Sequence, residues 1–154
     1  KHVIDEKNAE RTHEWVRNAI GEGADILFGG QRVGATGYLP TILTNTKQDM
    51  FVCSKEAFAP IVILEKYSNF KLACIEINNS VFGLQAGIFT NDFKEIMHAY
   101  DVLEVGGVII NNAPSFRADH MPYGGLKDSG IGREGVRYAI EDMTELKTLV
   151  LNRI

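Results

Sequence analysis

Residues 106–110 read Gly-Gly-Val-Ile-Ile and lead directly into residues 111–123, which read Asn-Asn-Ala-Pro-Ser-Phe-Arg-Ala-Asp-His-Met-Pro-Tyr. The apolar run predicts a buried strand, and the polar, aromatic and cationic stretch after it predicts a loop. α/β enzymes place ligand sites on loops that leave their strands, because loops present functional groups that a packed strand cannot. Residues 111–123 are therefore the first candidate for a functional loop.

The chain before this strand alternates between strand and helix patterns. Strands are predicted at residues 61–64 and 84–90, each followed by a helix, and the first is apolar enough to be covered on both faces. The candidate N-caps are Ser68 or Asn69 and Asn91 or Asp92, and the predicted core faces are Phe70, Ala73, Cys74 and Ile77, then Phe93, Ile96, Met97, Tyr100 and Leu103. This order is typical of parallel strands with right-handed crossovers. The predicted fold class is α/β, a doubly wound parallel sheet with helices on both faces.

The two ends of the chain add further elements to this core. The patterns predict a helix at residues 5–20 capped by Asp5, strands at 24–28 and 41–43 with a loop at 31–40 between them, a helix at 133–142 and a lone strand at 147–151. A lone terminal strand commonly joins a sheet in another part of the protein or in a neighbouring subunit.

Composition narrows the class of protein. The 154 residues carry 16 Lys and Arg against 20 Asp and Glu, interspersed with no basic stripe, so we expect no nucleic-acid partner. The apolar runs are too short to cross a bilayer and no signal-peptide pattern opens the chain, so we expect no membrane partner. Two cysteines, Cys53 and Cys74, do not suggest a disulfide framework, and a reducing cytoplasmic setting with both as structural thiols is expected. The start without Met suggests a missing upstream part.

Several familiar motifs lack the surroundings that their chemistry requires. Residues 130–135 spell G-x-G-x-x-G, but no buried strand precedes them and the chain ends near the place where the ribose-binding acid should lie. We expect these glycines to let a turn approach other backbone closely. The four histidines are scattered without a metal-ligand cluster, so no metal is expected, and no Ser lies in a nucleophile elbow. The chain has no catalytic constellation of its own.

Glu56 and Phe58 are the first candidate ligand-binding pair. They lie two residues apart just before a predicted strand, and extended backbone would place both side chains on one face, where they could hold one ligand together. An exposed Glu beside a core Phe is the alternative.

The functional loop itself supplies four further candidates, namely Phe116, Arg117, His120 and Tyr123. Arg117 offers a fork of donors for a carboxylate, phosphate or sulfonate, and the aromatic rings could form an apolar wall for a short carbon chain. Alternatively, Arg117 pairs with Asp119 or another acid of the chain. The residues alone leave both possibilities open.

Over essentially its whole length the chain resembles the C-terminal third of the aldehyde dehydrogenase superfamily. The matching stretches are residues 4–6 (IDE), 9–11 (AER), 37–43 (GYLPTIL), 55–60 (KEAFAP), 78–90 (NNSVFGLQAGIFT), 121–130 (MPYGGLKDSG) and 143–148 (MTELKT). The loop at residues 115–122 is similar to that of members acting on small polar aldehydes, such as lactaldehyde and phosphonoacetaldehyde dehydrogenases. Ala59 departs from the family pattern, which has glycine there.

The resemblance implies oxidation of a small, hydroxylated or anionic aldehyde with NAD or NADP, through a cysteine thiohemiacetal whose nucleophile lies upstream of residue 1. It implies that Glu56 and Phe58 bind the cofactor, that Phe116 and Tyr123 line the aldehyde tunnel, and that Arg117 and His120 recognise a hydroxyl or anionic group. Residues 1–142 would belong to the catalytic domain and residues 143–154 to a tail that joins a homodimer or homotetramer, with the cofactor domain outside the chain. This fragment alone would be inactive. A non-catalytic α/β module that binds a nucleotide or assembles a complex is the alternative.

Overall fold

The structure is a computed structural model that describes residues 1–153. It divides into two compact units, Lys1–Ser68 and Asn69–Ile154. Helices and strands alternate in both, and each unit contains a pair of parallel strands. The predicted α/β class is therefore confirmed.

The first unit contains two helices and five strands. They are α1 (Glu6–Gly21), β1 (Asp25–Phe28), β2 (Arg32–Val33), β3 (Gly37–Tyr38), β4 (Thr41–Thr44), α2 (Phe51–Ser54) and β5 (Ile61–Ile63). Asp5 caps α1 as predicted, because its carboxylate accepts a bond from the backbone N–H of Asn8 at 2.7 Å. The sheet order is β1-β4-β5, and Leu43 on the central strand is fully buried. The small hairpin of β2 and β3 lies in a stretch predicted as loop.

The second unit contains three helices and four strands among the described residues. They are α3 (Phe70–Asn78), β6 (Phe82–Gly83), β7 (Gln85–Ile88), α4 (Phe93–Val102), β8 (Gly107–Ile110), β9 (Leu126–Lys127) and α5 (Val136–Met143). Asn69 caps α3 and Asp92 caps α4, each through its side-chain oxygen. The parallel pair β7 and β8 with α4 between them is the predicted crossover unit, and β6 pairs antiparallel with β9.

Two predictions about packing are wrong within the described residues. β5 was expected to be covered on both faces, yet Val62 at its centre is 60% exposed. β5 is also an edge strand, which pairs only with β4 among the described residues. The predicted core face of α4 is also largely exposed, with Phe93 at 71% and Tyr100 at 69%. Leu103, the predicted member of that face just after the helix, is buried as expected, and Ala99, which lies outside the predicted face, is fully buried.

The C-terminal tail forms neither helix nor strand from residue 144 to residue 153. Its apolar side chains are exposed, namely Leu146, Leu149, Val150 and Leu151. The lone strand predicted at residues 147–151 has no partner among the described residues. Among residues 1–153, no helix is both long enough and apolar enough to cross a bilayer.

Candidate functional site

The functional loop begins at Asn111, the first residue after β8. The backbone N–H of Asn111 donates to the carbonyl of Ile88 at 2.7 Å, which extends the pairing of β7 and β8 by one bond. Its side-chain amide donates to the carbonyl of Thr90 and accepts from the N–H of Thr90, both at 3.0 Å. Asn111 has a φ of 55°, a left-handed conformation that Asn tolerates better than most residues. The start of the loop is therefore fixed to the end of β7.

Gln85, the first residue of β7, anchors the middle of the loop. Its side-chain N–H groups donate to the carbonyls of Pro114 and Phe116, the latter at 3.1 Å. Gly87 on the same strand lets the loop pass closely, because a Cβ there would lie 2.8 Å from the carbonyl oxygen of Asn112. Sequence reasoning assigned no role to Gln85, although a glutamine in an otherwise apolar strand is the signal that could have indicated one.

Arg117 and Tyr123 meet at the far side of this loop. The guanidinium carbon of Arg117 lies 4.5 Å from the centroid of the Tyr123 ring, a cation–π geometry. Nη2 of Arg117 also donates to Oε2 of Glu134 at 3.0 Å, and the side chain of Arg117 stays 46% exposed. The alternative in which Arg117 pairs with an acid is thus what the structure shows, with Glu134 rather than Asp119 as the partner.

Phe116 and His120 are also exposed at this loop. Phe116 is held through its backbone, since its N–H donates to the carbonyl of Ala113 at 3.0 Å and its own carbonyl accepts from Gln85. Within residues 1–153, the ring of His120 makes no hydrogen bond, ion pair or ring contact. Of the four loop candidates, the structure therefore brings Arg117 and Tyr123 into contact and leaves Phe116 and His120 open to solvent.

The glycine-rich turn after the loop is not built as a dinucleotide motif. The strand before it, β9, is a two-residue strand paired antiparallel with β6, and α5 begins only at Val136. The helix was predicted to begin at Arg133, but Gly135 has a φ of 117°, which no helical residue adopts. The turn instead folds back so that Glu134 and Tyr123 pair through their backbones.

Glu56 and Phe58 lie in the first unit, between α2 and β5. Both side chains are exposed, and Phe58 is 71% exposed, so the alternative of a core Phe is wrong. Phe58 has a φ of 47°, so the segment is not extended at that residue, contrary to the assumption behind the predicted shared face. Nη2 of Arg11 donates to the carbonyl of Ala57 at 3.3 Å, which ties the segment to α1. Left-handed non-glycine residues cluster at functional sites, since their strain persists only where the surroundings hold them.

Neither cysteine has the surroundings of a nucleophile. Burial raises the pKa of the Cys74 thiol above its ordinary 9.0, and Glu95 raises it further. Burial also raises the pKa of Cys53, which a hydrogen bond from Thr46 partly offsets. Thiolates are the reactive form of cysteine, so both residues fit the structural role expected for them. Among the described residues no three of the His, Cys, Asp and Glu side chains are grouped as metal ligands would be.

Comparison with known proteins connects this geometry to one family. The profile of the aldehyde dehydrogenase family matches residues 2–149. A 3-sulfolactaldehyde dehydrogenase from Priestia aryabhattai is 53% identical over 146 residues, which cover 95% of this chain and 30% of that protein. The chain thus spans about a third of the length of the curated relatives it matches.

Solved structures give the same result. Aldehyde dehydrogenase 21 from Physcomitrella patens, in complex with the reaction product succinate, superposes with a TM-score of 0.92 at 47% identity over 97% of this chain and 31% of that one. Glyceraldehyde-3-phosphate dehydrogenase GapN from Methanocaldococcus jannaschii, complexed with NADP, superposes with a TM-score of 0.88 at 39% identity over 99% of this chain and 33% of that one. The family expected from the sequence is confirmed, and this chain belongs to the aldehyde dehydrogenase family.

Proposed function

We propose that this chain is the C-terminal part of an NAD(P)-dependent aldehyde dehydrogenase that oxidises a small hydroxylated or anionic aldehyde to its carboxylic acid. Residues 1–142 form part of the catalytic domain, and the nucleophilic Cys and the general-base Glu lie upstream of residue 1. The observation that carries the choice of substrate is the exposed guanidinium of Arg117, held over Tyr123 on the loop that leaves β8.

The geometry of Arg117 suits an anionic group on the substrate. Among the described residues its side chain donates only through Nη2, so Nε and Nη1 keep N–H groups for a ligand. A guanidinium matches carboxylate and sulfonate oxygens with paired donors. The relatives agree with this choice, since one is named for a sulfonated lactaldehyde and another holds the dicarboxylate succinate. We expect His120, exposed on the same loop, to bond a hydroxyl and Phe116 to contact the carbon chain.

The cofactor proposal rests on Glu56 and Phe58. The Glu56 carboxylate has no hydrogen-bond partner in residues 1–153, so both oxygens can accept from the hydroxyls of a ribose. The exposed ring of Phe58 offers an apolar surface beside it. These residues fit NAD or NADP, which when bound supplies the acceptor for the hydride that leaves the substrate.

The tail supports a proposal about assembly. Residues 144–153 of the tail place four large apolar side chains in solvent, an arrangement that another chain can cover. We expect this tail to join a sheet of a neighbouring subunit in a homodimer or homotetramer, in the cytoplasm.

Kinetics of the full-length protein that contains this chain test the proposal. Arg117→Ala should raise KM for succinic semialdehyde about 10- to 150-fold, the value of a hydrogen bond to a charged group, and should change KM for propanal little. Arg137→Ala is the matched control, because Arg137 is also exposed and also pairs with a glutamate, Glu141, at 2.9 Å. Equal effects of Arg117→Ala on both aldehydes would refute the anionic substrate class, and failure to reduce NAD or NADP with any aldehyde would refute the enzyme proposal.

A further inference from the structure

Glu134 lies in the glycine-rich turn that neither the dinucleotide motif nor the proposed function explains. The N–H of Tyr123 donates to the carbonyl of Glu134 at 3.1 Å, and the N–H of Glu134 donates to the carbonyl of Tyr123 at 2.6 Å. Two residues that exchange both backbone bonds stand directly opposite each other, with their side chains on one face. The turn thus sets the Glu134 carboxylate beside the Tyr123 ring.

Arg117 contacts both members of this pair. Its guanidinium carbon lies 4.5 Å from the Tyr123 centroid while its Nη2 bonds the Glu134 carboxylate at 3.0 Å. Ring and carboxylate together define where the guanidinium sits, although Arg117 and Glu134 are 17 residues apart.

The glycine that follows Glu134 makes this arrangement possible. Gly135 has a φ of 117°, and a Cβ there would lie 3.1 Å from the carbonyl oxygen of Met121 and 3.2 Å from the Tyr138 ring. Any other residue at this position would strain the backbone and crowd the loop beside the backbone pairing of Tyr123 and Glu134. The glycine turn therefore positions an acid against the loop.

The ion pair of Arg117 and Glu134 is also open to exchange. Their side chains are 46% and 66% exposed, and exposed ion pairs contribute little net free energy. An incoming carboxylate or sulfonate that bonds the free donors on Nε and Nη1 can therefore also take over Nη2 from Glu134 at small cost. It also meets the negative charge of Glu134, which an uncharged aldehyde does not feel.

From these contacts we propose that Glu134 is a specificity-determining residue. It acts as an internal counter-anion that orients Arg117 in the free protein and competes with the acid group of an anionic aldehyde. The proposal rests on the proposed function, since it assumes that Arg117 receives that acid group.

Glu134→Gln in the full-length protein separates charge from position. The glutamine carbonyl can still accept from Arg117, but the competing charge is gone. We expect KM for succinic semialdehyde to fall about two- to fivefold, with kcat and the KM for propanal unchanged. Glu134→Asp keeps the charge and should not lower KM. Glu141→Gln, which removes an equally exposed acid from another Arg pair, should change neither KM.

A double variant distinguishes the two proposals. In the Arg117→Ala background, Glu134→Gln should change KM for succinic semialdehyde much less than in the wild-type background, because the guanidinium for which Glu134 and the substrate's acid group compete is gone. If Arg117→Ala affects both aldehydes alike, the proposed substrate class fails. If Arg117→Ala is selective but Glu134→Gln matches Glu141→Gln, or raises KM for both aldehydes, the inference about Glu134 alone is overturned.

Discussion

Asn111→Ala should loosen the start of the functional loop. The change removes two hydrogen bonds to the backbone of Thr90, both 3.0 Å long, and each contributes about 0.5–1.5 kcal/mol. It also places alanine at a φ of 55°, which costs about 1 kcal/mol more. Together these effects destabilise the loop by about 3 kcal/mol.

Two further substitutions separate these contributions. Asn111→Gly avoids the backbone strain and should cost about 2 kcal/mol. Asn111→Asp keeps the bond from the Thr90 N–H and tolerates the left-handed conformation, so it should cost about 1 kcal/mol. The expected order of destabilisation is Ala, then Gly, then Asp.

Hydrogen exchange of the Thr90 amide in the full-length protein measures this opening. A loss of about 3 kcal/mol in the free energy of opening the loop corresponds to amide exchange about 150-fold faster. The matched control is Asn112→Ala, because Asn112 accepts a bond only from the N–H of its neighbour Ala113, at 2.8 Å, among the described residues. Equal exchange at Thr90 in the Asn111→Ala and Asn112→Ala proteins would refute the reasoning.

Two more predictions concern the thiols and the cofactor residues. Burial raises the pKa of Cys74 and shields its thiol from solvent, so at pH 8 iodoacetamide should label Cys74 more slowly in the native protein than in urea. Raising the pH toward 9.5 should speed labelling of the unfolded thiol first, since its pKa is lower, and rapid native labelling would contradict the buried assignment. Glu56→Gln should raise KM for NAD or NADP about 10- to 150-fold, the value of hydrogen bonds to a charged group, whereas Glu14→Gln, an exposed change on α1, should not. Unchanged cofactor KM in Glu56→Gln would remove Glu56 from the cofactor site.

Local signals in the sequence determined most of the elements near the site. Asp5 caps its helix as predicted, and Asn69 and Asp92 are each one of the two caps predicted for theirs, because capping depends on one side chain and the backbone within three residues of it. The crossover through α4 and the loop after Ile110 were likewise predictable, since a strand followed by a polar run is read from neighbouring residues alone.

Contacts between segments that are distant along the chain could not be predicted from the sequence. The sequence did not show whether Arg117 pairs with an acid. In the folded chain Arg117 pairs with Glu134, because the turn at Gly135 brings Glu134 back against Tyr123. The tertiary structure also decided that Ala99 of α4 is buried while Phe93 and Tyr100 are exposed, because Ala99 lies in the core cluster against which Val108 and Ile110 of β8 pack. Periodicity reports which residues share a face of a helix, whereas the free energy of burial depends on what the rest of the chain places against that face.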